Sequence, residues 1–109
     1  MADWLAVETE RDRLVLETVD EPFERGTIEN ARQLVVLGRD HCPVPDVGKG
    51  YWSTFRFTWG TTPPIEVEVF RDHFEFYCFH DDRPDIVEIA HVAGDALPAE
   101  LVARLPSTV

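Results

Sequence analysis

The aromatic residues of this 109-residue chain are concentrated in one segment, and that segment constrains the fold most. Ten of the twelve aromatic side chains lie between Tyr51 and Phe79. Aromatic residues favour β-strands, and side chains of alternating character follow one another at 51–59 and again at 65–70. Because successive side chains of a strand point to opposite faces, the segment is predicted to form strands that share one apolar face.

The register of the first two predicted strands follows from the same pattern. A five-residue turn at 60–64 places apolar residues opposite apolar residues and a base opposite an acid. The predicted pairs are Trp59 with Ile65, Phe57 with Val67, Phe55 with Val69 and Arg56 with Glu68.

A third strand is predicted at 74–79, joined to the second by an even-length turn. An odd-length turn would place Glu66 and Glu68 on the apolar face, where burying a carboxylate is costly. The pairs that follow are Phe70 with Glu75, Val69 with Phe76 and Val67 with Cys78.

The segments before the aromatic region are predicted from apolar spacing and turn residues. Two short runs around a charged turn at 10–13 favour a hairpin over residues 4–19. Apolar residues at helical spacing predict a helix that Thr27 caps and Gly38 ends. The alternatives are a helix at 4–13 and a strand at 33–37.

The remaining segments complete the predicted architecture. Proline and glycine predict a loop at 39–50, a fourth strand is expected at 86–92, and Pro98 begins a helix through about Leu105. The chain is therefore predicted to be a single acidic α+β domain over residues 1–109. Its core element is an antiparallel meander sheet of about four to six strands with one or two helices packed on it.

The charge of the chain narrows the classes of partner. Twenty-one acidic and ten basic residues give a formal net charge of −11, which disfavours nucleic acid and anionic membranes as partners. A basic protein would instead be attracted, although the charge could also serve solubility alone. The N-terminus lacks the pattern of a signal peptide, and no apolar run approaches the roughly 20 residues of a membrane span. A cytoplasmic location is therefore expected.

The second face of the predicted sheet is the candidate partner-binding surface. Aromatic residues and arginine stand there among acidic side chains, a composition typical of interface hot spots. An exposed patch of that size is unusual on a monomer, so a helix covering its aromatic part is the favoured alternative. A homodimer could also bury it. The candidate residues are Trp52, Arg56, Glu66, Glu68, Phe70, Glu75, Tyr77 and Phe79.

No catalytic residue, cofactor or metal site is predicted. Two cysteines and two histidines would suit tetrahedral zinc, but their spacing is poor for chelation. Cys42 is the only candidate nucleophile, and adjacency to a histidine in the sequence does not place the imidazole on its sulfur. His73 and His91 are interpreted as surface residues. The zinc candidates are His41, Cys42, Cys78 and His80.

These observations favour a non-catalytic protein-binding module. In its most concrete form it is a small bacterial inhibitor or immunity protein that neutralises a basic toxic enzyme, for example a nuclease. The alternative hypothesis is a small enzyme or ligand-binding domain with a pocket between the sheet and the 39–50 loop.

Overall fold

A computed structural model of the chain describes residues 3–17, 22–50 and 52–107. Within them lie three helices and one five-stranded sheet. The helices are α1 (Trp4–Glu17), α2 (Arg25–His41) and α3 (Ala99–Arg104). The strands are β1 (Asp46–Lys49), β2 (Phe55–Trp59), β3 (Ile65–Val69), β4 (His73–Phe79) and β5 (Pro84–Ala90). All neighbouring strands are antiparallel and lie in chain order, so the predicted α+β meander is confirmed.

The predicted register is confirmed between β2 and β3 and wrong between β3 and β4. All four predicted β2–β3 pairs are present. In the next hairpin Val67 lies opposite Phe76, two residues from the predicted partner. The turn is tighter than expected, because the Phe70 N–H donates a hydrogen bond to the His73 carbonyl at 3.0 Å. A slip of two residues keeps every side chain on its face, so the predicted apolar face is unchanged.

The hydrophobic core lies between that apolar face and the helices. The Phe23 ring stacks on Phe55 with 4.3 Å between ring centroids, and Trp59 Nε1 donates a hydrogen bond to the Pro43 carbonyl at 2.8 Å. The helices therefore pack on one face of the sheet. Their buried core residues are Val7, Leu14, Ala31, Leu34, Val35 and Leu101.

The hairpin predicted for the N-terminal segment is wrong, since α1 is one continuous helix. The Asp3 carboxylate accepts a backbone N–H of the first turn at 2.8 Å, as an N-cap does. Arg13 pairs with the glutamates three residues before it and four residues after it, and Val7 and Leu14 face the core. Residues 18–19 of the predicted second run lie outside the described residues.

The predicted helix α2 is confirmed, but both of its ends differ from the prediction. It begins at Arg25, so Thr27 is buried inside the first turn and is not the cap. It also continues through Gly38 to His41. A Cβ at Gly38 would lie 2.5 Å from Cη2 of Trp4. The glycine therefore allows the α1 tryptophan to approach and does not end the helix.

The long loop predicted at 39–50 is wrong, because it contains the end of α2 and all of β1. The edge strand β1 forms by pairing with β2, a contact that its own residues do not signal. The strand predicted at 51–59 begins at Phe55, and Tyr51 lies outside the described residues. The fourth predicted strand appears as β5, shifted by two residues toward the N-terminus. The C-terminal helix is confirmed as α3.

His91 is buried, so its interpretation as a surface residue is wrong. Its backbone N–H donates to the Asp72 carbonyl at 3.0 Å, and its Nε2 lies 3.2 Å from Oε1 of Gln33. Burial lowers the pKa of His91, and the nearby Asp95 carboxylate opposes that change. Folding therefore favours the neutral imidazole.

We expect the buried His91 to make folding stability depend on pH. Because its folded pKa lies below its ordinary value, the unfolded chain binds more protons between the two values. The free energy of unfolding should therefore rise with pH between the folded pKa and the ordinary pKa. It should decrease as the pH falls below about 6.5, because protonation of His91 then favours the unfolded chain. In urea unfolding at several pH values, His91→Gln should show a shallower dependence than the parent chain. His80→Gln is the control, and equal slopes for parent and His91→Gln would contradict the assignment.

Candidate functional site

The sheet face that points away from the core is not covered by any helix in the described part of the chain. The buried apolar residues of α1, α2 and α3 all belong to the core on the other side. The covering helix that the sequence favoured is therefore not found within these residues. This surface is called the open face. Its residues are Arg56, Thr58, Glu66, Glu68, Phe70, His73, Glu75, Tyr77, Phe79, Ile86 and Glu88.

A row of glutamates crosses the open face. The strand register places Glu68 of β3 opposite Glu75 of β4, and Glu75 opposite Glu88 of β5. These three residues are called the glutamate row. Like charges that face each other directly across strands destabilise a sheet. The row therefore has an energetic cost, which neighbouring donors reduce only in part.

Glu68 is held by an internal hydrogen bond. Its side chain is almost fully buried, with 5% of the residue exposed, and its Oε2 accepts the Thr54 hydroxyl at 2.5 Å. The Gly50 N–H donates to the Thr54 carbonyl at 2.9 Å. A Cβ at Gly50 would lie 2.1 Å from Thr54 Oγ1 and 2.5 Å from the Glu68 carboxylate. Glu68 is thus buried beneath the surface, and little of its side chain is accessible to a partner.

Arg56 lies opposite Glu68 as predicted, but its ion pair is with a different glutamate. Arg56 Nε is 3.3 Å from Oε2 of Glu66, the residue diagonal to it across the strands. Burial raises the pKa of the Glu66 carboxyl, and the Arg56 guanidinium acts in the opposite direction. Arg56 is the single arginine among the open-face residues. It already forms an ion pair with Glu66 and lies on β2, away from Glu75 and Glu88.

His73 lies at the start of β4 and was not predicted to belong to this surface. Its ring stacks on Phe70 with 4.1 Å between centroids, and its Nδ1 lies 2.6 Å from Oδ1 of Asp72. Its Nε2 is 3.5 Å from Oε2 of Glu75 and 3.4 Å from Oε1 of Glu88. The only imidazole among the open-face residues thus lies close to two carboxylates of the glutamate row, those of Glu75 and Glu88.

Aromatic side chains border the acidic centre. Trp52 is 61% exposed and Phe79 is 39% exposed. The Tyr77 and Phe79 rings lie parallel, with 6.0 Å between their centroids. The Tyr77 hydroxyl donates to Oε1 of Glu75 at 2.6 Å, and burial, followed by that carboxylate, raises the pKa of the tyrosine. Three of the predicted aromatic residues, Phe70, Tyr77 and Phe79, therefore share the open face with the glutamates, whereas Trp52 precedes β2 and lines a groove with Phe70 and His73.

A shallow groove of about 510 Å³ runs along one edge of the open face. Trp52, Phe70 and His73 line its sheet side, and Thr27 at the start of α2 lines the other. No residue of the 39–50 segment lines this groove, so it does not coincide with the pocket that the ligand-binding hypothesis expected.

The zinc candidates of the sequence are not brought together. Cys42 is buried at the end of α2, where burial raises the pKa of its thiol, the reverse of what an activated nucleophile needs. Cys78 is half-buried on the core side of β4, and His80 pairs with Asp85 at 2.8 Å. Over the described ranges, three metal-binding side chains lie within reach of one another only at His73, Glu75 and Glu88.

Comparisons with family models, with curated proteins and with solved structures find no match to this chain. In the described ranges, no helix combines the length and the apolar character that crossing a bilayer requires. The function is therefore inferred from the side chains of the open face. Sequence reasoning missed His73, because it was assigned to the hairpin turn although it lies two residues before Glu75 on the same face of β4. It also missed Ile86 and Glu88 of β5, because only the register places them beside Tyr77 and Glu75.

Proposed function

We propose that this chain is a non-catalytic protein-binding module whose open face engages a basic protein. The observation that carries the proposal is the glutamate row, whose Glu75 and Glu88 side chains are accessible on a sheet face that no helix of the described residues covers. Opposed carboxylates cost stability in the free protein, and such departures from favourable local pairing are expected at functional sites. Cationic side chains of a partner would relieve that repulsion on binding.

The aromatic border suits the same role. Interfaces commonly combine aromatic anchors with charged groups, and the anchors contribute most of the binding energy. Trp52 and Phe79 are both exposed. Trp52 lines the groove with His73, and Phe79 stacks on Tyr77, whose hydroxyl bonds Glu75. The charge of −11 would also attract a basic partner at long range. A homodimer through this face is less favourable, because it would bring two glutamate rows together.

In its most specific form, the proposal is a cytoplasmic bacterial inhibitor or immunity protein that neutralises a basic toxic enzyme such as a nuclease. A nuclease site binds a polyanion and is therefore basic. Carboxylates on neighbouring strands, spaced about 4.8 Å apart, present a regular negative charge to such a site.

We expect the double charge reversal Glu75→Lys/Glu88→Lys to weaken partner binding about 100-fold or more, because close interfacial charge pairs contribute several kcal/mol. The two lysines would still oppose each other across the strands, so the fold should persist. The measurement is capture from a native lysate at low and moderate salt, followed by titration of the purified retained protein.

The matched control is Asp81→Lys/Asp82→Lys, which changes the net charge equally in the exposed turn between β4 and β5. It should retain most of the affinity. An equal loss of affinity in both double variants would show that the effect comes from the overall charge and not from the open face. Failure of the parent chain to retain a basic protein at either salt would reject the proposal.

The alternative function is a small-molecule-binding domain or small enzyme. The groove of about 510 Å³ favours it, because its size lies within the range of ligand pockets and two aromatic rings line it. A ligand bound there would raise the unfolding temperature of the chain. A thermal-shift screen with Trp52→Ala as the control variant tests this alternative, and a shift that survives the substitution would place the ligand elsewhere.

A further inference from the structure

We propose that His73, Glu75 and Glu88 form a binding site for a divalent transition-metal ion, with Zn²⁺ the best match. The site combines two strands, since His73 and Glu75 share a face of β4 and Glu88 lies opposite Glu75 on β5. The site shares Glu75 and Glu88 with the proposed partner surface, but its test requires no partner.

The distances suit a bound ion. His73 Nε2 lies 3.5 Å from the Glu75 carboxylate and 3.4 Å from the Glu88 carboxylate, and one ligand atom of each residue lies within 4.8 Å of the others. Ligands at about 2.0–2.2 Å from a tetrahedral zinc ion are separated by roughly 3.3–3.6 Å. An ion could therefore contact all three residues with little movement of the strands.

The surroundings of His73 hold it in the form that a metal needs. The Asp72 carboxylate is an acceptor at 2.6 Å from Nδ1, so the proton of the neutral ring lies on Nδ1 and the lone pair lies on Nε2. Metal-binding histidines are commonly oriented by such a carboxylate, and the Phe70 ring further restrains the imidazole. That Nε2 atom lies beside two carboxylates, so a cation bound between the three groups would make favourable contacts with all of them.

The donor set selects the class of ion. One imidazole nitrogen and two carboxylate oxygens suit zinc and similar borderline ions, whereas Mg²⁺ and Ca²⁺ prefer oxygen ligands throughout. The Glu88 side chain is 69% exposed, so water can complete the coordination. The net charge of two carboxylates and one neutral imidazole also matches a divalent cation.

The test is calorimetric titration of the full, untagged chain with Zn²⁺ at neutral pH. We expect one saturable site, weakened at least about tenfold by His73→Gln and by Glu88→Gln. Asp72→Asn should weaken binding by about tenfold or more without removing a ligand, as loss of an orienting partner does. His80→Gln is the matched control, because that histidine pairs with one carboxylate, that of Asp85, but is not part of a three-ligand group among the described residues.

If His73→Gln does not fold, Glu88→Gln still tests the metal site, because the Glu88 side chain is exposed and its replacement should not affect folding. Absence of saturable binding by the parent chain would overturn the proposal. Binding that survives Glu88→Gln, or that is lost in Cys78→Ser, would also overturn it by placing the ion at other residues. In ¹⁵N spectra, zinc should shift the His73 Nε2 resonance and leave that of His80 in place.

Discussion

Replacing Phe55 with alanine should lower the free energy of unfolding by about 3–5 kcal/mol. Phe55 is fully buried at the start of β2, stacks on Phe23 and lies opposite Val69. Truncation would remove these contacts and leave a cavity between the sheet and the helices. A domain of this size is commonly stable by 5–15 kcal/mol, so the variant should be close to unfolding at room temperature.

The control is the same substitution on the other side of the sheet. Phe79 is 39% exposed on the open face, so Phe79→Ala should cost only about 1 kcal/mol or less. Urea unfolding followed by circular dichroism measures both losses. Similar costs for the two variants would contradict the assignment of one face to the core and of the other to solvent.

Replacing Gly50 with alanine should lower the free energy of unfolding by about 2–4 kcal/mol. The added methyl group would overlap the Thr54 hydroxyl and the Glu68 carboxylate, which together form a buried hydrogen bond. Loss of a hydrogen bond to a charged group costs about 1.5–3 kcal/mol, and the steric strain adds to that cost. The measurement is again equilibrium unfolding in urea.

Gly48 provides the matched control in the same segment. A Cβ at Gly48 meets no atom within 4 Å, so Gly48→Ala should leave stability unchanged or raise it by up to about 1 kcal/mol, because alanine restricts the unfolded chain. The two substitutions are thus expected to act in opposite directions. A loss in Gly48→Ala as large as that in Gly50→Ala would mean that this segment tolerates no side chain at all.

Local pattern determined which face of the sheet is buried. The alternation at 55–59 and 65–69 has a period of two, the period of strand side chains. A five-residue turn then leaves one register that matches apolar with apolar residues, and the β2–β3 pairs obey it. At the β3–β4 turn the same alternation allows two registers, because a shift of two residues preserves every face. Only the backbone hydrogen bond between Phe70 and His73 selects one of them.

Contacts between distant segments decided the rest. The N-terminal residues 4–17 form a helix because α2 and the sheet bury one of their faces. Gly38 lies within a helix because the Trp4 ring needs the space. β1 is a strand because β2 pairs with it.

The candidate site was likewise determined in part by local pattern and in part by contacts between strands. The alternating strands predicted that aromatic and acidic side chains share a face, since facing depends only on neighbours along one strand. The placement of Glu75 between Glu68 and Glu88, and the approach of His73 to Glu88, depend on pairing between strands. The sequence by itself therefore determined the composition of the open face. The tertiary structure alone decided which of its charges meet, because register, and not residue type, determines cross-strand distance.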